Sequence, residues 1–268
     1  MNKCNRLFFL LTLVLTLSLT GVFAVQPSGG TALEGTTSTA PNDTADSAIA
    51  FAGNVTELDI SAFTNTQSWQ GYFGNVSGTI QLADANDNVM YDWYLASPEG
   101  EVYASIEGSI SWTNVQCFNF TAEGTLASDS GQRGSTSLYG MNLSDLEAAY
   151  GLAYDDVDGV DETFDLDGAL TNNDGTHDLF YTNNLEFSDG ECLSANIFSG
   201  AHAGEDDYFE EVLLYDPDTQ SVIFTSLLEE SDTAGFDDAY HDFEMLVLEN
   251  GHGTDLDTTT YYFYVELE

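Results

Sequence analysis

Short segments in which apolar and polar residues alternate set the tightest limit on the fold of this chain. The alternation is clear in residues 76–82, 89–95 and 101–106. Clusters rich in Asp, Asn, Gly and Pro, at 84–88 and 97–100, separate these segments and are typical of turns. A period of two places every second side chain on one face of a β-strand. Short strands with turns at near-regular spacing predict an all-β fold, namely an antiparallel β-sandwich-like domain.

The last third of the chain continues the β pattern. Residues 209–215 and 222–228 flank the sequence Asp216-Pro217-Asp218, which favours a type I turn, so they predict a hairpin. Two further strands are expected at 243–248 and 258–267, where apolar and aromatic residues are again dense.

One short helix is expected between the two groups of strands. Ser144 and Glu147 match a capping box, in which each side chain bonds a backbone amide of the other residue. Gly151 can end the helix, because glycine accepts the left-handed conformation common at helix C-termini. Residues 109–120, which precede the helix, are expected to form one more strand or a pair of strands.

The first 24 residues match an export signal. Lys3 and Arg6 precede an apolar run at 7–22, and Val22-Phe23-Ala24 places small residues where a signal peptidase cleaves. We therefore expect a signal peptide at 1–24 and a protein that is secreted and acts outside the cell. The apolar run is shorter than the roughly 20 residues that span a bilayer, so no membrane attachment is expected after cleavage.

Composition divides the remainder of the chain into two parts. Residues 25–50 are rich in Thr, Ser, Gly, Ala and Asp without apolar periodicity, which is typical of a flexible linker. The all-β domain is expected to span 51–268. An alternative division places two subdomains in this range, with a boundary near 140–176.

Acidic residues outnumber Lys and Arg by 46 to 3. Lys3 and Arg6 lie in the expected signal peptide, so Arg133 is the single Lys or Arg beyond it. Self-repulsion then opposes a compact state in dilute buffer. Molar salt shortens the Debye length to about 3 Å and screens exposed charges. The composition predicts a folded protein adapted to molar salt, and it excludes nucleic acid and anionic membranes as partners, because both attract basic residues.

Two cysteines, Cys117 and Cys192, follow the signal peptide. An even number of cysteines in an exported chain predicts a disulfide between them. The alternative is a pair of buried free thiols. Closure of so long a loop stabilises a fold by about 4–5 kcal/mol when the stabilisation is calculated from chain entropy.

An acidic stretch at 155–168 offers a candidate calcium site. The pairs Asp156 and Asp158, and Asp165 and Asp167, each precede a glycine, as the ligands of a calcium-binding loop do. Both pairs lack the first ligand of that pattern. An acidic surface loop is the alternative, and no other cofactor is expected.

Catalytic signatures are missing from the sequence. It contains no Gly-x-Ser-x-Gly elbow, phosphate-binding loop or His-Glu-x-x-His motif. Its histidines do not recur at the spacing of a zinc motif, and they are expected to be surface or structural residues. They are His177, His202, His241 and His252. We therefore expect that the protein is not an enzyme.

Three tryptophans, Trp69, Trp93 and Trp112, lie in the first β region beside many tyrosines. Such rings are the usual bulk of a sandwich core. The alternative is that they form stacking platforms for sugars, with carboxylates beside them.

Five Asn-x-Ser/Thr sequons lie in or near the first half of the chain. Export makes N-linked glycosylation of such sites feasible, and it favours a location in surface loops. The candidate glycosylation sites are Asn42, Asn54, Asn75, Asn119 and Asn142.

These features together resemble secreted or cell-surface β proteins of extremely halophilic archaea. The likeness rests on acidity without lysine beyond the signal, the export signal, the sequons and the Thr-rich linker. The segments 211–216 and 258–267 also resemble recurrent C-terminal segments of uncharacterised exported archaeal proteins. The resemblance implies no particular activity and no catalytic residue.

Three functions are compatible with this sequence. The leading hypothesis is a non-catalytic surface module for adhesion, for the cell envelope or for binding a cell-surface protein or glycan. The second is a subunit of an extracellular filament or other homo-oligomer, in which the N-terminal 25–60 segment adds as a strand to a neighbouring sheet. The third is a calcium-assisted carbohydrate-binding module.

Overall fold

Antiparallel β-strands account for most of the regular structure, as the alternation predicts. The computed structural model describes residues 26–41, 44–94, 98–120, 141–153, 155–164, 177–229, 231–250 and 258–267. Two helices occur among these residues, α1 (Leu143–Ala149) and α2 (Val160–Thr163), where the sequence predicted one. The strands are β1 (Ser28–Gly29), β2 (Trp69–Gly74), β3 (Thr79–Ala83), β4 (Val89–Tyr94), β5 (Gly100–Ser105), β6 (Gln116–Cys117), β7 (Phe180–Thr182), β8 (Leu185–Phe187), β9 (Ser194–Asn196), β10 (Glu210–Asp216), β11 (Ser221–Leu227), β12 (Thr233–Ala234), β13 (Tyr240–His241), β14 (Phe243–Leu248) and β15 (Tyr262–Leu267).

Seven strands form the central antiparallel sheet. Its order is β1-β15-β5-β11-β10-β6, and β9 also pairs with β10. Strands β10 and β11 form the hairpin that the turn at 216–218 predicted, with Leu213 opposite Phe224. Strand β15 lies between β5 and β1, so residues 262–267 are held inside the sheet.

A second antiparallel pair, β2 and β14, packs over β10 and β11. One edge of β14 pairs with β2, and side chains of the central sheet bond its other edge. Leu246 N donates to Glu211 Oε2 at 2.8 Å, and Ser226 Oγ donates to the Glu244 carbonyl at 2.8 Å. Because buried backbone groups need such partners, these bonds join the two layers into a sandwich-like body.

The central sheet is buried on both faces. On the face toward β2 and β14, Leu213 and Phe224 pack with apolar side chains of α1. On the opposite face, Val212 and Ile223 pack with Trp112. Neighbours in one strand, such as Val212 and Leu213, therefore belong to different clusters, as a period of two requires.

The predicted disulfide between Cys117 and Cys192 is confirmed. Cys117 lies on β6 opposite Leu214 of β10, and Cys192 lies two residues before β9. Strands β6 and β9 both pair with β10, so the bond joins two segments that meet the same strand. Its main energetic effect is to restrict the unfolded chain.

The start of α1 differs from the prediction, which placed the N-cap at Ser144. Asn142 caps the helix instead: Asp145 N donates to Asn142 Oδ1 at 2.9 Å, and Asn142 N donates to Asp145 Oδ2 at 3.3 Å. This start places Leu146 in the core beside the central sheet. Gly151 follows the helix with a φ of 73°, the left-handed conformation that was predicted there.

The segment 109–120, predicted as strand, is mostly a loop. Within it Gln116–Cys117 is a strand, whereas Asn114 N donates to the Ser111 carbonyl at 3.0 Å and closes a turn. Ser111 N also donates to Asp216 Oδ2 at 2.8 Å. These local and side-chain bonds replace the ladder that a strand would form, which is why the alternation misleads here.

The described N-terminal residues contact the sheet edge, where Ser28 of β1 pairs with Val265. The range 25–50, predicted as a linker, thus contains one short strand. No helix in the described part of the chain is long and apolar enough to cross a membrane. The expected signal peptide, 1–24, lies outside the described residues.

Candidate functional site

An antiparallel hairpin formed by β3 and β4 lies outside the two packed layers, and every residue of both strands is exposed. We call residues 79–94 the exposed hairpin. Neither strand pairs with any other described strand. Seven large apolar side chains lie on it, between 40% and 82% exposed: Ile80, Leu82, Val89, Met90, Tyr91, Trp93 and Tyr94. A two-stranded hairpin has little stability of its own in water. A hairpin that exposes so many apolar side chains and pairs with no other described strand is therefore unusual.

The register of the exposed hairpin separates an apolar face from a more polar one. Ile80 lies opposite Trp93, and Leu82 lies opposite Tyr91. Directly paired residues of an antiparallel ladder share a face, so these four side chains, which we call the apolar quartet, lie together. The rings of Tyr91 and Trp93 contact each other with centroids 4.9 Å apart. The opposite face carries Thr79, Gln81, Asp92 and Tyr94.

The turn of the exposed hairpin is polar and tightly bonded. The Asp84 carboxylate accepts from the backbone N of Asn86 at 2.8 Å and from that of Asn88 at 3.0 Å. Asp87 takes the left-handed conformation, with a φ of 60°. Hydrogen bonds from Asn88 hold the pKa of Asp84 below its ordinary value, so the turn keeps a negative charge. The turn of the hairpin is therefore negatively charged, whereas the apolar quartet lies on its two strands.

A segment without helix or strand, but with exposed apolar side chains, precedes β2. We call residues 44–67 the arm, and none of its described side chains is buried. Within it, Leu58 is 62% exposed, Ile60 is 82% exposed and Phe63 is 52% exposed. Burial resumes at Ser68, immediately before β2. The arm and the exposed hairpin each present large apolar side chains to solvent.

Part of the predicted calcium site can be placed. The Asp156 carboxylate accepts from a backbone amide three residues earlier, and the Asp158 carboxylate accepts from the Thr66 hydroxyl. Asp165 and Asp167 lie outside the described residues. Across the ranges that the structure describes, no three His, Cys, Asp or Glu side chains are grouped to hold a metal ion. The calcium site stays a prediction.

The three tryptophans have different surroundings. Trp112 is buried, and its ring centroid lies 4.9 Å from that of Tyr103. Trp69 is half-buried, and its Nε1 donates to the Asp158 carbonyl at 2.8 Å. Trp93 is half exposed on the hairpin. Trp112 is thus a core residue, whereas Trp93 is placed where a stacking platform would be.

His177 is a buried structural residue. Cys192 N donates to its Nε2 at 2.9 Å, and its Nδ1 lies 2.7 Å from the Asp178 carbonyl. Burial lowers the pKa of His177, so the neutral ring carries its proton on Nδ1 and donates it to that carbonyl. The ring therefore links the segment of Cys192 to the start of β7.

The sequons differ in accessibility. Asn54 and Asn75 are exposed, whereas Asn119 is half-buried and forms a backbone bridge with Asn142. Asn142 is 9% exposed, and its side chain caps α1. Asn42 lies outside the described residues. Among the described sequons, Asn54 and Asn75 offer the most room for a glycan.

Buried carboxyl groups with raised pKa values form a second candidate site. Burial raises the pKa of Glu210 to about 8, and it also raises the pKa of Glu229. Perturbed acids mark catalytic sites in many proteins. Here Glu210 Oε2 accepts from Asp178 N at 2.6 Å, and Glu229 Oε1 accepts from Phe209 N at 2.6 Å. Both carboxyl groups therefore hold backbone segments beside β10 in place, which is a structural role rather than a catalytic one.

A cleft of about 350 Å³ lies between α1 and the central sheet. Its walls are largely apolar, with Leu146 from the helix and Phe224 from β11. The hydroxyls of Tyr150 and Tyr261 lie 3.1 Å apart at this cleft, and Tyr261 donates to the Leu248 carbonyl at 2.7 Å. The lining offers apolar contacts rather than acid–base groups.

Sequence reasoning found the strands of the exposed hairpin but missed their position outside the packed layers. Its apolar quartet occupies alternate positions, as a buried face would, so the local pattern does not separate the two cases. In the filament hypothesis, residues 25–60 were expected to add as a strand to a neighbouring sheet, but the local alternation within the arm was not used. Within it, Leu58 and Ile60 alternate with Glu57 and Asp59, and this signal was available in the sequence.

Comparison with known proteins assigns no family to this chain. No protein family, curated protein or solved structure matches it. Its function must therefore be inferred from its residues and their geometry.

Proposed function

We propose that this chain is an exported, salt-adapted, non-catalytic surface module that binds a cell-surface partner through its exposed hairpin. The observation that carries the proposal is the apolar quartet, which shares one face of a hairpin outside the packed layers. The export pattern at 1–24 and the excess of acidic residues support a location in extracellular high salt.

Leaving the apolar quartet in water is unfavourable. Full burial of one large apolar side chain is worth about 1.5–3 kcal/mol, and the four members are 40–60% exposed. A partner that covers them would recover much of this free energy and would also support a hairpin that is marginal by itself. Contiguous apolar patches of this kind mark interaction sites on soluble proteins.

A protein or glycan surface suits the exposed hairpin better than a lipid bilayer does. Asp84 and Asp87 lie in its turn, and anionic lipid headgroups would repel this acidic end. The rings of Tyr91 and Trp93 can stack on a sugar or on an apolar side chain. The quartet thus supplies the contact area.

A subunit of an extracellular filament is the second candidate function, and the arm favours it. The arm is exposed, partly apolar and outside every described strand, which are the properties of a segment that can add to the sheet of a neighbour. The exposed ring of Trp93 also keeps a carbohydrate among the partners of the hairpin.

Retention on the envelopes of the producing cells, in molar salt, tests the proposal with three proteins: wild type, Trp93→Ala and Tyr94→Ala. The two substituted residues are adjacent exposed aromatics on opposite faces of the hairpin. We expect wild type and Tyr94→Ala to sediment with the envelopes and Trp93→Ala to lose roughly tenfold or more in affinity. Equal retention of all three proteins, or turnover of a polysaccharide or peptide by the wild type, contradicts the proposal.

A further inference from the structure

The arm contains a strand pattern that the described structure does not use. In residues 56–62, Leu58 and Ile60 alternate with Glu57 and Asp59. In an extended chain these two sets lie on opposite sides, so one side is apolar and the other is acidic. None of the strand pairings among the described residues includes this segment.

Hydrogen bonds hold the arm at its C-terminal end. Asn65 Nδ2 donates to the Ala40 carbonyl at 2.9 Å, and the Thr66 hydroxyl donates to the Asp158 carboxylate. The residues before this point keep exposed side chains, among them Leu58 and Ile60. The arm is therefore anchored beside the body but presents its apolar side to solvent.

The exposed hairpin has an edge that can receive such a strand. Leu82 opposes Tyr91 and Ala83 opposes Val89, so the extra residue of this irregular register, Met90, lies on β4. A bulge distorts the edge of the strand that carries it. Strand β3 therefore keeps the regular edge, and it pairs with no described strand other than β4.

We propose that the arm of one copy of this chain adds as a strand to the β3 edge of the exposed hairpin in a second copy. The proposal rests on the proposed function, because it uses the same hairpin and names its partner. Leu58 and Ile60 would extend the face that the apolar quartet begins. Each copy carries both an arm and a hairpin, so the joint is heterologous and either closes a ring or continues along a fibre.

The surface area that a stable interface must bury favours addition of the arm to the hairpin over contact between the hairpins of two copies. A standard interface buries about 800 Å² per partner. The apolar quartet, half exposed in the free chain, offers on the order of 300 Å². Main-chain hydrogen bonds and the exposed side chains of the arm supply contacts that the quartet alone lacks.

The charge of the chain makes the joint depend on salt. Each copy carries 46 acidic residues against 3 Lys and Arg, so two copies repel each other in dilute buffer. Molar salt screens this repulsion beyond about 3 Å. The contact side of the arm and the apolar quartet carry no charge. The partner is therefore selected by apolar contacts and main-chain hydrogen bonds, and not by attraction to a basic surface.

Sedimentation velocity of the full chain in molar salt tests the joint. Ile60→Asp places a charge on the apolar side of the arm, and Ser61→Asp places the same charge on the other side. We expect wild type and Ser61→Asp to associate, and Ile60→Asp to sediment as a single chain at the same concentration. Circular dichroism spectra of the three are expected to agree, because both positions are exposed. A wild type that stays a single chain up to its solubility limit overturns the inference.

Mixing two defective variants gives a sharper test. Ile80→Asp damages the hairpin and leaves the arm intact, whereas Ile60→Asp does the reverse. Neither is expected to associate alone, but an equimolar mixture is expected to form a species with the mass of two chains. Gln81→Asp, on the opposite face of β3, is the matched control and is expected to associate alone. A mixture that contains single chains only overturns the inference.

Envelope binding separates the failure of this inference from the failure of the proposed function. If wild type stays a single chain while Ile60→Asp binds envelopes as well as wild type, the second copy is not the partner and the proposed function stands. If wild type self-associates while Trp93→Ala binds envelopes as wild type does, the inference stands and the binding of a foreign partner by the hairpin is wrong.

Discussion

Glu101 and Glu266 lie directly opposite each other on neighbouring antiparallel strands, and both are buried. The hydroxyl of Tyr103 lies 3.2 Å from a carboxylate oxygen of each. Asn183 N donates to both carboxylate oxygens of Glu266, at 2.9 and 3.1 Å. Two carboxylates opposed in a ladder repel each other when both are ionised, and the described residues include no Lys or Arg to offset them. Hydrogen-bond donors such as this hydroxyl must therefore stabilise the interior of the sheet.

Tyr103→Phe is expected to destabilise the protein by about 1–3 kcal/mol, because buried carboxyl groups lose a donor. The ring contacts with Trp112 are kept, so the change isolates the hydroxyl. The measurement is urea unfolding in molar salt. Tyr264, directly opposite Tyr103 in the register, donates its hydroxyl to the Glu107 carbonyl at 2.9 Å and gives a matched control. Tyr264→Phe is expected to lower the free energy of unfolding by less, about 0.5–1.5 kcal/mol. Equal losses in the two variants would show that the Tyr103 hydroxyl does not specifically stabilise the buried Glu101 and Glu266.

Asn142→Ala is expected to destabilise the protein by about 1 kcal/mol, because Asp145 N loses its side-chain acceptor at the start of α1. Ser144→Ala is the matched control, since Ser144 lies inside the helix and is exposed. Both substitutions destroy the same sequon, so any effect of a glycan at Asn142 cancels between them. Thermal unfolding of the two variants shows which residue caps the helix. A larger loss of stability in Ser144→Ala than in Asn142→Ala would support Ser144 as the N-cap, as the sequence predicted.

The sequence predicted those elements whose determinants are local. The β10–β11 hairpin follows from a turn at 216–218 between two alternating segments. The disulfide follows from the number of cysteines beyond the expected export signal. The helix was found, but its cap was misplaced, because the patterns starting at Asn142 and Ser144 both satisfy capping rules. Burial of Leu146 in the core fits the start at Asn142, and a local pattern does not contain that information.

Long-range pairing decided the features that the sequence did not predict. Strand β2 pairs with β14, as Trp69 opposite Leu248 shows, and the intervening hairpin is left outside the packed layers. Alternation in β3 and β4 fixes which residues share a face but not whether that face is covered. Strands of two or three residues, such as β7 and β12, are too short to show a period. The exposed hairpin and the arm are therefore visible as a site only in the structure.

The free energy of unfolding is expected to fall as pH rises from about 4.5 to about 8. Burial raises the pKa of Glu210 to about 8 and the pKa values of Glu147 and Glu244 to about 7. In the unfolded chain these groups titrate near their ordinary value of about 4.3. Between the two values the folded chain holds more protons than the unfolded chain, so deprotonation favours unfolding. Urea unfolding at several pH values in constant molar salt measures the slope.

Glu210→Gln is expected to flatten this pH dependence, because an amide of the same shape binds no proton in this range. Glu99→Gln, at an exposed position, is the control and is expected to leave the slope unchanged. If Glu210→Gln and wild type show the same slope, the pH dependence does not arise from this buried group.

The native fold is expected to be lost as the salt concentration falls below about 1 M, because screening of the surface charge then fails. Among the described residues, the two contacts between a basic side chain and a carboxylate join His202 to Asp238 and His241 to Asp237, and each is an ion pair only when the histidine is protonated. Cations of the chain therefore offset little of the acidity. Lost screening therefore adds directly to the free energy of the folded state. Far-ultraviolet circular dichroism during stepwise dilution of salt measures the transition, with a return to high salt as the control for reversibility. A native spectrum in dilute buffer would show that packing and the Cys117–Cys192 disulfide hold the fold against the full repulsion, and salt adaptation would then be the wrong explanation of the acidity.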